Sequence, residues 1–366
     1  MSKEEAFAHP DPPAAGVEAS RRRKVVRSLK LSSKELRTGH LPLRIGMGIV
    51  RTGPLLMLAA IFVTAALTVP VFLTTTNLTN LGFQASIVIC LALGQLVVMV
   101  TRGIDLSVGS VVALSGVTGS LVADGSLSGG LPVVATIVLT GAAVGLVNGV
   151  VFVKGRIPHP FVVTLATFTI ARGIALLLAN GDPNTGMPHL VQELGAGTVG
   201  GFPIPMILVA VLAAITFVLL QRTQWGRWIY AIGASAEAAR RTGIPVGRLL
   251  ISAYVVCGVA AGFCGLIVAG RTNAGSPTAG NLYELDAIAA VIIGGASFAG
   301  GRGTVMNAVV GALMISVIRN SMDLMSIQAF WQLVVIGVII VIAVEFDVLR
   351  GYLEDRTRVL RARGTL

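Results

Sequence analysis

Residues 83–123 read FQASIVICLALGQLVVMVTRGIDLSVGSVVALSGVTGSLVA, two apolar runs broken by one short polar turn. The first run, 83–101, matches the ~20 residues a helix needs to cross a hydrocarbon core of about 30 Å. The second, 106–123, is short and rich in glycine and serine. The turn between them places Asp105 where one run passes into the next, with Gly103 and Gly109 free to take tight backbone turns. A carboxylate at a membrane boundary is costly unless it is paired or hydrated. Two readings of Asp105 stand: a proton relay, or a structural carboxylate that caps the following helix or pairs with Arg102. The second has the better support, because no other membrane carboxylate lies near it in sequence.

Working outward, the same kind of run recurs along the chain. Apolar segments lie near 54–74, 83–101, 106–123, 131–153, 160–179, 203–220, 249–270, 285–300, 304–320 and 328–346. With 54% hydrophobic and 12% charged residues and a mean hydropathy of +0.83, the chain is no soluble globule. The expected fold is an all-α polytopic membrane protein of about ten transmembrane helices, some short or broken. Residues 51–350 form the membrane domain, residues 1–50 a basic and largely disordered tail, and residues 351–366 a second tail. The opening tail is too long and polar for a signal peptide's charged region, and no cleavage site follows a short apolar one.

The net charge of +11 raises the question of nucleic acid. Lys and Arg cluster at the tails and in certain loops, with no basic face interleaved by aromatics, so no nucleic-acid partner is expected. Placing the N-terminus inside puts Arg102, Lys154, Arg156, Arg222, Arg227, Arg240, Arg241, Arg248, Arg302 and the arginines of 350–363 on the cytoplasmic side. Arg271 and Arg319 are the exceptions. Both termini and the loop 221–248 are then cytoplasmic.

Enzymatic chemistry finds no foothold. The dipeptide Gly-Lys does not occur, so there is no Walker-type phosphate loop. His9, His40, His159 and His189 are scattered, and Cys90, Cys257 and Cys264 fall inside apolar runs without metal-ligand spacing.

Two further stretches carry information. NLYELDAIAAVIIGGASFAGGRGTV (281–305) sets Glu284 and Asp286 at the start of a short apolar segment that ends in Gly294 and Gly295. That is the pattern of a broken helix lining a cavity, although glycines also serve close helix packing; both readings stay open. GIDLSVGSVVALSG faintly resembles YELDAIAAVIIGGAS five spans later, as inverted repeats would, with Asp105 then near the cytoplasm and Asp286 near the outside. SAEAARRTGIPVG (235–247) reads as a short charged helix, with Ser235 as N-cap, Gly243 at the C-terminal cap and Pro245 barring its resumption. Glu237 stands in its first turn and Arg240 and Arg241 in its last, and Glu237 lies four residues from Arg241. So short a helix is not stable alone in water. Something must dock against it.

GIDLSVGSVVAL, GRIPHPFVVTLATFTIARGIALLLANG, GRWIYAIGASAEAARRTGI and YELDAIAAVIIGGASFAGGRGT together resemble the permease subunit of ribose-type ABC importers, within the branched-chain amino acid and sugar permease superfamily. The resemblance covers about residues 54–350. It implies a non-catalytic permease in the bacterial inner membrane that imports a monosaccharide or related polar solute. It also implies a second copy of the chain, surrounding lipid, an external solute-binding protein, and a cytoplasmic ATPase that holds the ATP and Mg. No cofactor is expected on the chain itself. By the family pattern, Gly226, Arg227, Glu237, Ala238, Ala239, Arg240, Arg241 and Gly243 couple to that ATPase. Candidates for the pathway and its gate are Gln95, Asp105, Ser107, Asn148, Thr164, Thr167, Glu284, Asp286, Gly294 and Gly295, with Thr169 a further polar residue of the interior. The chain departs from the family pattern at Ser235, where Asn is usual, and at Arg102, where Gly tends to stand. A proton-coupled carrier using Asp105 is the alternative.

Overall fold

The computed structural model describes residues 40–125 and 129–362. Among these residues the elements are α1 (His40–Thr68), α2 (Thr75–Val100), α3 (Val108–Ala123), α4 (Gly130–Lys154), α5 (Pro160–Leu178), β1 (Asn184–Thr185), α6 (His189–Ala196), β2 (Thr198–Val199), β3 (Phe202–Pro203), α7 (Ile204–Arg222), α8 (Gln224–Ala234), α9 (Ala236–Arg241), α10 (Val246–Thr272), β4 (Ala274–Gly275), α11 (Tyr283–Ile293), α12 (Val305–Leu324) and α13 (Ala329–Ala362). Residues 53–351 form one compact unit; residues 40–52 and 352–362, helical in backbone, belong to a second. Of the tail expected to be disordered, 1–39 lies outside the described residues, whereas 40–50 is helical.

Each of the ten apolar segments contains a helix, and the protein is an all-α polytopic membrane protein. Six helices, α2, α4, α5, α7, α10 and α12, are long and apolar enough to cross a bilayer. The stretches Gly53–Thr68, Val108–Ala123 and Ala329–Glu345 are shorter. At 11 residues α11 is about 16 Å long, too short to cross.

Burial sorts these helices by position. From Ala85 to Val100 every residue of α2 is buried, so α2 is the central post of the bundle. In contrast, α4, α5 and α7 expose Leu131, Leu139, Phe161, Leu177, Val211 and Val218, the apolar faces expected against lipid. Lipid tails are as apolar as leucine, so close packing rather than hydrophobic transfer holds helices together there. The α4–α10 contact is built that way: a Cβ on Gly141 or Gly145 would collide with the carbonyls of Gly258 and Tyr254 respectively. A Cβ on Gly149 would come within 2.7 Å of Ile251 Cα.

The two short helices share a geometry. Gly109 in the first turn of α3 abuts Gly280 and Glu284, so the N-terminal ends of α3 and α11 meet inside the bundle. From there α3 runs toward β4, beyond the C-terminal end of α10, while α11 runs the opposite way to the glycine-rich loop 294–303. Asp105, bonded to Asn148 near the C-terminal end of α4, lies toward the α9 end of α10. Asp286, bonded to Arg319 beside the Asn320–Asn77 contact at the start of α2, lies toward the opposite end, as the inverted repeat leads one to expect. The two readings of the 294–303 glycines also merge. Gly295, Gly300, Gly301 and Gly303 have positive φ and break the helix, whereas Gly294 lets α11 approach the Asn307 carbonyl of α12.

Candidate functional site

The loop between α7 and α10 is ordered by its own capping groups. Thr223 caps α8 by accepting a hydrogen bond from the Gly226 amide at 3.2 Å. Gly226 is buried, and a Cβ there would strike the carbonyls of Leu219 and Leu220, so the α7–α8 elbow requires glycine. Ser235 alone separates α8 from α9 and caps α9 by accepting from the Ala238 amide at 3.2 Å. At the other end Gly243 has φ +83°, and the Ile244 amide donates to Ala239 O at 3.1 Å, closing the helix in the manner foreseen. The Arg241–Glu237 pair forms at 3.1 Å. Helix α9 does not continue through Pro245, which serves instead as the N-cap of the next helix, α10.

Exposure divides the residues of this loop. Arg227, Glu237, Ala238, Arg240, Arg241 and Gly243 are exposed, whereas Ala239 is 4% exposed and packs into the chain's own core. Ala239 was expected beside Ala238 on a partner-facing surface; its inward position removes it from that surface. A Cβ on Gly243 would meet nothing within 4 Å, so its backbone conformation alone calls for glycine.

The inner face of α8 joins two other elements. Arg102 donates from Nε to Gly233 O at 2.6 Å and from Nη2 to Ala234 O at 2.8 Å. Tyr230 Oη donates to Gly303 O at 2.7 Å, and burial pushes that hydroxyl's pKa up, keeping it a neutral donor. The Gly301 amide donates to Val100 O at 2.8 Å.

Above this junction lies a buried polar nest. Asp105 Oδ1 accepts from the Ser107 amide at 2.9 Å and from Ser107 Oγ at 2.6 Å, turning the chain just ahead of α3. Asn148 Nδ2 donates to Ser107 Oγ at 2.9 Å and, at 3.4 Å, to Asp105 Oδ2. With its amide oriented to satisfy both groups, Gln95 donates to Asp105 O at 3.1 Å and accepts from the Asp105 amide at 3.2 Å. Thr164 Oγ1 donates to Ile104 O at 3.2 Å. Thus α2, α4 and α5 together clamp residues 104–107. The expected Arg102–Asp105 pair does not form, because Arg102 has φ +68° and its side chain reaches α8 instead. Thr167 is half-buried along α5, and the exposed Thr169 bonds back to Leu165 O of its own helix; neither joins the nest.

A second group surrounds the start of α11. Asp286 receives a hydrogen bond at 2.7 Å from Arg319 Nη2 of α12. Glu284 neighbours Arg172 of α5 electrostatically, while Arg172 Nη1 donates to Pro277 O at 2.6 Å and Ala279 O at 2.8 Å. Neither arginine was singled out from sequence as a carboxylate partner. The signals were present: Arg172 lies within an apolar run, and Arg319 is, with Arg271, an exception to the charge asymmetry of the loops.

The arrangement is one of closely packed helices, two interior helix ends and an exposed charged loop, without a metal-ligating cluster of His, Cys, Asp or Glu among the described residues. A family profile described as "Branched-chain amino acid transport system / permease component" matches residues 77–344. The chain belongs to this permease family. The permease is 39% identical over 301 residues to the ribose import permease RbsC of Bacillus subtilis, covering 81% of this chain and 92% of that one. It is 38% identical over 297 residues to the D-allose permease AlsC of Escherichia coli, covering 80% and 89%. To the L-arabinose ABC transporter permease AraH of Azospirillum brasilense it is 35% identical over 311 residues, covering 85% and 90%. No solved structure matches. The permease is a translocation subunit of an ABC importer, not an enzyme, and the proton-coupled alternative finds no support in these relatives.

Proposed function

We propose that this permease carries a monosaccharide, a pentose or a hexose, into a bacterial cell across the inner membrane, as a dimer with a second copy of itself. An external solute-binding protein delivers the sugar, and a cytoplasmic ATPase holding ATP and Mg docks on α9. The relatives named for ribose, allose and arabinose support the sugar class. The observation that carries the reading is the capped helix α9, which presents Glu237, Ala238, Arg240 and Arg241 outward while Ala239 anchors it to the bundle. So short a helix is not stable alone; Ala239 fixes it to the bundle and its charged face is left open to a partner.

The solute passes beside the facing ends of α3 and α11. Glu284 and Asp286 line that route, and the Gly294–Gly295 turn is the flexible point at its cytoplasmic end. Gln95, Asp105, Ser107, Asn148 and Thr164 hold the α3 end in place.

Docking is tested by co-purification. Ala238→Trp places a large side chain on the exposed face and should abolish capture of the ATPase while leaving a folded, monodisperse permease. Glu237→Arg should weaken capture more mildly, because an exposed ion pair contributes little. Full capture by Ala238→Trp would remove α9 as the docking element.

A further inference from the structure

Arg102 occupies a backbone position that glycine fills most easily. It follows the last turn of α2 with φ +68°, its amide bonded to Met99 O at 3.0 Å and the Gly103 amide to Val98 O at 3.0 Å. A left-handed cap of this kind costs a residue with a Cβ, and such strain persists where the surroundings hold it. Here the surroundings are the end of α8. The last carbonyls of a helix have no partner within it, and those of Gly233 and Ala234 are taken by the two arms of the Arg102 guanidinium. A planar fork meets both carbonyls at once in a fixed geometry, with less lost freedom per bond than a flexible ammonium. Its positive charge also suits the negative end of the α8 dipole.

The contact is closed on its other side by the glycine loop. A Cβ on Gly233 would collide with Val100 O, and one on Gly300 with the Arg102 side chain. One residue beyond Ala234 lies Ser235, and then α9. Three residues beyond Arg102 lies Asp105, clamped to Ser107 and Asn148 at the start of α3.

We infer that Arg102 is the strut that makes the docking loop and the central helix α2 move as one body. A displacement of α9 then reaches the inner end of α3 through Arg102 and the clamped 104–107 link. It reaches the α12 end of the glycine turn through Tyr230 and Gly303. Arg102 is a positioning residue: it touches neither solute nor nucleotide. The inference rests on the docking reading for its consequence in transport, though not for the tie itself.

Arg102→Gly is the informative variant, because it removes the guanidinium and relieves the positive φ, so misfolding does not confound it. In the purified permease, hydrogen exchange of the amides of 231–241 should speed up by about tenfold, as loss of a charge-assisted hydrogen bond gives, with 85–98 of α2 unchanged. Arg102→Lys should recover part of the protection. In proteoliposomes of the assembled transporter, Arg102→Gly should keep ATP hydrolysis while sugar moved per ATP falls by about tenfold, the tie being lost rather than the motor. Unchanged exchange in 231–241 overturns the strut. Faster exchange with sugar per ATP preserved, where Ala238→Trp does lose the ATPase, overturns the tie's part in coupling. Failure of the docking reading shows separately: Ala238→Trp retains the ATPase while Arg102→Gly still loosens 231–241, an outcome that supports the tie and removes α9 as the docking site.

Discussion

Asp105 shows how a costly residue is made tolerable. Its carboxylate is 2% exposed, and it accepts from the amide and hydroxyl of Ser107 and from Asn148, while Gln95 pairs with both of its backbone groups. What the site requires is acceptors rather than a titrating proton. Asp105→Asn keeps an acceptor oxygen for Ser107, so the variant should melt within about 2 °C of the wild type and should import its solute normally. Asp105→Leu leaves the Ser107 amide and hydroxyl donors unpaired at roughly 1–3 kcal/mol each and should lower the melting temperature or the folded yield. Thermal unfolding of the purified permease beside uptake in cells separates the two; a well-folded Asp105→Asn that cannot transport would return a role to the charge. The importance of Asp105 was legible because a membrane carboxylate needs partners. The identity of those partners was not. Arg102 lies three residues away, but a positive φ turns its side chain toward α8, and the real partners Asn148 and Gln95 come from other helices. Arg319 could be suspected only as a misplaced cation until α12 was seen beside Asp286.

At the scale of elements, length and hydropathy read well and contacts read poorly. All ten apolar segments hold helices, and the two suspected of being short, around 106–123 and 285–300, are α3 and α11. Periodicity could not say that their N-terminal ends face one another, since Gly109 and Glu284 are 175 positions apart and meet only in the tertiary structure. Nor could it rank the glycines. Gly145 of α4 and Gly173 of α5 look alike in sequence, each in the middle of an apolar helix. In the fold a Cβ on Gly145 would run into the Tyr254 carbonyl, whereas one on Gly173 would meet nothing within 4 Å. Gly145→Ala must push α4 off α10 and should cost about 1–3 kcal/mol as overpacking. Gly173→Ala gains helix propensity and should be neutral or stabilising by up to about 1 kcal/mol. Melting curves of the two variants in one detergent give the order, and a Gly173→Ala protein less stable than Gly145→Ala would contradict the packing described.

For the whole molecule, sidedness has two parts that rest on different grounds. The first is geometric. Helix α10 has 27 residues and is about 40 Å long. At its start Val246 follows α9 within five residues, and near its end Gly270 packs on Gly195 of α6. Helices α9 and α6 thus lie at opposite ends of one membrane-length rod. The second ground is charge: the arginines around α9 favour the cytoplasm, which is the side we propose for it, with α6 outside. Both grounds are open to cysteine labelling without first removing the native thiols, since Cys90, Cys257 and Cys264 are all buried. Arg240 is exposed on α9, and the His189 side chain is 88% exposed on α6. With a membrane-impermeant maleimide on whole cells, His189→Cys should label and Arg240→Cys should label only after the membrane is opened. The reversed pattern would overturn the orientation and with it cytoplasmic docking at α9, while leaving the fold intact. Labelling of both from one side would contradict the fold, because no membrane-spanning α10 can carry α6 and α9 on the same face.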